Sequence, residues 1–202
     1  ADGDTAYLNA GTQFLFDGEY DFTIYGTLKA TGTESDSIIF DNYSDDRWSG
    51  FTLDNASDET EFQYVRISGA EKVDGGGMYL ISSNPALSHV TITGNAAVNS
   101  SSAAGSYGGG MYLNASNPAL THVTISGNTA NYGGGMSLGF SNPTRFSNPT
   151  LIHVTIANNT ADFGGGMRLA DSNPTLTHVT ITGNTANSRG GGMYLYNSNP
   201  AL

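Results

Sequence analysis

From residue 75 onward, apolar and polar positions alternate in short runs that recur almost word for word. The stretch GGGMYLISSNPALSHVTITGN (75–95) returns four more times, with its methionine at 78, 111, 136, 167 and 193 and spacings of 33, 25, 31 and 26 residues. In each Met-x-Leu segment the apolar pair, Met78/Leu80 and its copies, brackets Tyr79, Tyr112, Ser137, Arg168 or Tyr194. That period of two predicts a short strand with one buried face. In His-Val-Thr-Ile the pair Val90/Ile92 and its copies alternate with Thr, which predicts a second strand. Between them, Ser-Asn-Pro-x-Leu reads as a turn with one inward leucine, because Ser and Asn bond locally and Pro fixes φ. After the second strand, one column holds Gly94, Gly127, Asn158 and Gly183, the substitution pattern of a residue at positive φ. The next column is Asn95, Asn128, Asn159 and Asn184.

No run carries a useful 3.6-residue period, so the unit is two or three short strands and tight corners in about 25 residues. A hairpin sheet needs no such register, and a propeller blade needs more residues. The pattern therefore predicts a parallel β-solenoid, each repeat one coil stacked about 4.8 Å on the last. Inward Met, Leu, Val and Ile then form aliphatic columns, the Asn column forms an amide ladder, and the glycine triplet allows a sharp turn beside neighbouring coils.

Two spacings are lengthened by insertions, AAVNSSSAAGSY (96–107) and GFSNPTRFSNPT (139–150), which are expected to project from one side. Residues 1–74 lack the motif but contain strand-like runs, TQFLFDG, YDFTIYGTLKATG, DSIIFDN, WSGFTLDN and EFQYVRISG, separated by Asp/Asn/Gly/Ser turns. These predict two to three less regular coils with larger apolar residues. The expected organisation is one continuous solenoid, irregular over 1–74 and regular over 75–202.

Composition narrows the function. Charged residues are scarce at 12%, and there is no cysteine, so neither disulfides nor thiolate metal sites arise. The net charge of −11 is concentrated at one end: residues 1–74 hold 16 of the 18 acids and four of the seven bases. An acidic chain without a basic stripe is a poor ligand for nucleic acid or anionic lipid, and no apolar run is long enough for a spanning helix. The start, ADGDTAYLNAG, has no secretory h-region, and the chain begins and ends within coils with no cap in view. That suggests either a fragment or ends that join other copies in a fibre.

The GGGM and TITGN segments resemble the GGA-I and F-x-x-N repeats of polymorphic outer-membrane adhesins, which are right-handed parallel β-helices of secreted bacterial proteins. Here Gly-Met stands where those repeats usually carry Ala-Ile. The stretch IYGTLKATGTESDSIIF (24–40), followed by Arg47-Trp48-Ser49-Gly50, is similar to the lead-in coils of large secreted β-helix proteins. The resemblance implies the fold, an extracellular or cell-surface location, and a structural or adhesive role toward glycans, host surfaces or other copies of the chain. The same fold also serves polysaccharide lyases and hydrolases.

Candidate chemistry is thin. Beyond residue 74 only Asp162 and Asp171 are acidic, and Arg168 is expected to form a surface ion pair with Asp171 rather than a catalytic set. No catalytic residue and no cofactor is assigned. The acidic loops DNYSDDRW (41–48) and DNASDETE (54–61) could supply oxygens to Ca²⁺ but lack a calcium-loop spacing. His89, His122, His153 and His178 form a column read as stacked corner rings bonded to the backbone; a straight row of nitrogens does not converge on a metal. If these rings repel when protonated, the seam is pH-sensitive. Tyr79, Tyr112, Arg168 and Tyr194 form an outward, part-aromatic stripe suited to stacking on sugar rings. Thr91, Thr124, Thr155 and Thr180 lead two outward rows of small hydroxyl residues, which resemble the ice-binding faces of some solenoid antifreeze proteins; β-branched propensity alone also places Thr there.

Overall fold

Corners, more than strands, set the shape of each coil. In the regular part four residues per coil adopt the left-handed conformation; for one coil these are Ala115 (φ 53°), His122 (54°), Gly127 (65°) and Gly133 (68°). The computed structural model describes residues 4–44, 46–99, 105–139 and 146–202. Between the corners run short strands that assemble into three parallel sheets of seven strands each.

The first sheet contains Thr5–Asn9, Thr27–Thr31, Glu61–Gln63, Ala86–Ser88, Ala119–Thr121, Thr150–Ile152 and Thr175–Thr177. The second contains Gln13–Phe16, Ile38–Asn42, Val65–Ser68, Thr91–Thr93, Thr124–Ser126, Thr155–Ala157 and Thr180–Thr182. The third contains Phe22–Ile24, Phe51–Asp54, Met78–Ile81, Met111–Asn114, Met136–Leu138, Met167–Ala170 and Met193–Tyr196. Successive strands along the chain visit the first, second and third sheets in turn, which is an all-β parallel β-helix. The strands between residues 5 and 68 lie in the same three sheets as those of the regular repeats.

Register is set by the inward columns. Met78, Met111, Met136, Met167 and Met193 pair in sequence, and so do Leu87, Leu120, Leu151 and Leu176. Ile67, Ile92, Ile125, Ile156 and Ile181 form the third wall of the core. A one-residue slip would turn every one of these side chains outward, so burial itself enforces the stacking. Burying each such leucine or isoleucine stabilises by about 1.5–3 kcal/mol. Toward the N-terminus the same columns hold rings instead, Phe14, Phe22, Phe40, Phe51 and Phe62, and Trp48 joins their cluster from the neighbouring corner; Phe14 and Phe40 lie 4.9 Å apart. The Trp48 indole N–H donates to the Ser68 carbonyl at 2.8 Å, which satisfies its one donor inside the core.

A fourth, broken ladder lies between the second and third sheets. Glu71–Lys72 pairs with Ala96–Ala97, and bridges through Thr129 continue it to Thr160–Phe163 and Thr185–Arg189. The described ends of the first insertion belong to this arm: Ala97 N–H donates to Thr129 O, and Tyr107 bridges to Tyr132. Residues 100–104 and 140–145, the middles of both insertions expected to project, lie outside the described residues.

Candidate flank surfaces and ladders

The arm decides what the flank of the third sheet can offer. Its chain turns back toward each glycine triplet and brings Tyr107, Tyr132 and Phe163 over the outer face of that sheet, their rings stacked at 5.0 and 5.2 Å. The stripe expected to be exposed is therefore mostly roofed. Tyr112 retains 2% of its exposure and Arg168 6%, while Ser137 between them is fully buried. Tyr79 and Tyr194 at the two ends of the stripe are half-buried. Tyr112 stacks on both Tyr79 (5.0 Å) and Tyr107 (5.5 Å). Burial pushes the Tyr112 and Tyr107 phenols above their ordinary range, so both are neutral hydroxyls at physiological pH.

Arg168 also departs from its expected partner. Its guanidinium lies 5.1 and 5.4 Å from the ring centres of Tyr107 and Tyr132, and Nη1 donates to Gly139 O at 3.3 Å. Cation–π contact and burial under the arm replace the expected surface pair with Asp171; no such ion pair occurs among the described residues. The signal that sequence reading missed is the residue before each glycine triplet: Asp74, Tyr107, Tyr132, Phe163 and Arg189. Three aromatic residues in that column mark the segment that folds back as the roof.

The Asn and His columns are both corner structures, with different burial. Asn95, Asn128 and Asn159 are buried, and each side-chain oxygen accepts the backbone N–H one coil earlier, at 3.0 Å from Ala70 and 2.9 Å from Asn95 and Asn128. Each amide also donates to a carbonyl of the preceding coil, as Asn128 does to Ile92 at 3.0 Å and Asn184 to Ile156 at 2.8 Å. His89, His122, His153 and His178 stand exposed at φ 53–54°, with neighbouring rings 4.7–5.0 Å apart and Tyr64 stacked at the head of the column. The backbone N–H groups of the first three bond to the next coil, His122 to Ile152 O at 3.0 Å for example.

On the outer face of the second sheet, Thr91, Thr124, Thr155 and Thr180 are in register, and Thr93, Ser126, Ala157 and Thr182 form the row beside them. These rows are partly to fully exposed. They continue toward the N-terminus as Arg66 and Ser68, with Arg66 paired to Asp41 at 3.6 Å. Several carboxylates of the acidic loops have separate partners: Asp54 accepts from Asn55, Asp58 from Asn84, and Glu61 pairs with Lys29. Among the described residues no three of His, Asp and Glu converge as metal ligands, and Asp45 lies outside them.

The family model described as right handed beta helix region matches residues 28–202. No curated protein and no solved structure matches the chain. With three parallel sheets stacked coil on coil and a match that spans most of its length, the chain belongs to the right-handed β-helix family.

Proposed function

We propose that the chain is a non-enzymatic structural or adhesive rod, working outside the cell or at its surface, and that it meets glycan surfaces or other copies of itself through its flanks. One observation carries this reading. Much of the polar chemistry of the repeats is committed to the scaffold, with Asn95, Asn128 and Asn159 buried and Tyr112 and Arg168 roofed. What the repeats turn to solvent is rows of Thr, Ser and Ala at a constant step, with the stacked histidines along one corner. A composition rich in Asn, Ser and Thr and free of cysteine is compatible with that location. The repeat of one coil per about 4.8 Å offers the same contact many times over, which suits a periodic partner better than a single small molecule.

A second reading rests on the register of the Thr rows: a flat, regular array of hydroxyl and methyl groups suits a crystalline surface, ice included. One assay separates these. The purified chain, mixed with insoluble polysaccharides and with growing ice, should sediment with a polysaccharide and release no soluble saccharide. Thermal hysteresis without polysaccharide binding would favour the crystalline reading. Soluble fragments would instead mark a lyase or hydrolase.

A further inference from the structure

Two concavities run along the outside of the arm and adjoin at Val98. The first, of about 730 Å³, is walled by Glu19, Asp46, Arg47, Glu71, Lys72 and Val98. The second, of about 330 Å³, is walled by Val98, Asn99, Thr129, Asn131, Asp162 and Asn187. The arm residues in these walls follow the broken ladder from Glu71 through Ala96, Thr129 and Thr160 to Thr185, one coil per step. The combined track therefore lies parallel to the solenoid axis and extends at least about 20 Å, four coil steps of about 4.8 Å.

The lining selects among ligands. Amide, hydroxyl and carboxylate groups alternate with the exposed methyls of Val98 and Val73, so the track offers hydrogen bonds and apolar contact together. Strands cross the track rather than border it, so a peptide lying in it finds no free strand edge to pair with. Four carboxylates, Glu19, Asp46, Glu71 and Asp162, outnumber Arg47 and Lys72, which disfavours a polyanion. Arg47 is held by Glu71 at 3.5 Å, and Lys72 by Asp21 at 3.1 Å.

The polar groups are also fixed in place. Asp162 accepts from the Asn131 amide at 2.8 Å and from the Asn187 amide at 3.0 Å, and Asn131 Oδ1 accepts from Ser106 Oγ at 3.0 Å. A carboxylate has about four acceptor positions, so Asp162 keeps capacity for ligand hydroxyls after these two bonds. Side chains already ordered lose little entropy on binding. Beside the far end Tyr20, 59% exposed, follows the wall residues Gly18 and Glu19 in the chain and leaves an aromatic surface open next to the concavity.

We infer that this track binds a linear neutral glycan lengthwise, with Glu71, Asn131, Asp162 and Asn187 taking sugar hydroxyls and Tyr20 and Val98 taking ring faces. The inference rests on the non-enzymatic flank-binding reading and names its ligand class and place. The test is calorimetric titration of the whole chain with neutral gluco-, xylo- and manno-oligosaccharides from disaccharide to hexasaccharide, and with an oligogalacturonate. The expected result is affinity that rises with length for a neutral series and is weaker for the uronate. Thr129→Trp, which fills the middle of the track, and Asn187→Ala should each weaken binding by about tenfold or more, the loss expected for one or two hydrogen bonds. Unfolding temperature is followed in parallel. Should Thr129→Trp unfold, Asn187→Ala alone decides.

Absence of saturable binding in every neutral series overturns the inference, and so does binding that neither variant changes. If the chain still sediments with an insoluble polysaccharide in those cases, the flank-binding reading survives and only the track is lost. Binding in the track accompanied by shortened oligosaccharides supports the track and refutes the non-enzymatic reading.

Discussion

Asn128 and Asn117 both stand in columns of asparagines one coil apart, yet their environments give them different weight. Asn128 is fully buried and serves Asn95 N–H, Ile92 O and Asn159 Oδ1 at 2.9–3.0 Å. Asn117 is exposed; its backbone N–H bonds to Asn84 Oδ1 at 2.7 Å, and its own Oδ1 accepts from Asn148 N–H at 2.6 Å. Removing a buried partner strands its neighbours without water, whereas an exposed site is rehydrated. Asn128→Ala should therefore cost about 2–4 kcal/mol, and Asn117→Ala less than about 1 kcal/mol. Chemical denaturation of both variants checks the contrast, and equal losses would show that the inner ladder is not a special source of stability. The two columns look alike in sequence. What separates them is that one follows a left-handed glycine and turns into the core, while the other precedes proline on the rim of the turn. The histidines likewise gave no hint of their positive φ, because the column holds no glycine or asparagine to signal it.

The glycine triplet acts at the level of the corner element. A Cβ on Gly134 would meet the carbonyl oxygens of Thr160 and Gly165, backbone atoms of the next coil that cannot give way. At Gly127 a Cβ would have open space, its nearest contact Thr93 Oγ1 at 3.8 Å, and only the left-handed conformation opposes substitution. Gly127→Ala should cost about 1–2 kcal/mol, while Gly134→Ala should cost about 3 kcal/mol or more and loosen the adjoining coils. Thermal unfolding followed by circular dichroism distinguishes the two, and a mild Gly134→Ala variant would mean that the coils separate more easily than their packing implies.

The strands, turns and inward columns were legible in the sequence because period-two alternation and repeat register both report on burial. The arm was not. It consists of two- to five-residue strands and single bridges whose buried residue is a lone alanine, Ala97, Ala130 or Ala161, so no large apolar pair marks a period of two. Its aromatic column stands directly before the glycine triplets, but Asp74 and Arg189 occupy the same position in the first and last copies, so Tyr107, Tyr132 and Phe163 did not stand out as a stack. Without the arm, the third sheet's outward stripe read as an exposed binding face. With it, that stripe is an interior layer, and the accessible concavity moves to the arm's own outer side.

If the flanks bind as proposed, contact in the whole molecule is a property of length. Each regular coil repeats the same faces, and the stability of such an array is approximately a sum over coils and their interfaces. The carboxylates crowd the first coils, while the later coils are nearly neutral, so the rod presents a charged end and a long uncharged flank. Multivalent contact along that flank should strengthen with each coil added and weaken with each removed. Deleting residues 160–184 joins Asn159 directly to Thr185 and removes one 25-residue coil without disturbing the order of the ladders. The decisive measurement is the binding isotherm of this shortened chain on the polysaccharide that the full chain sediments with, once its β-circular dichroism has shown it to be folded. The expected result is a folded rod with somewhat lower thermal stability and partially weakened binding. A folded rod whose binding is unchanged, or abolished outright, would place function in a single coil and contradict the proposal.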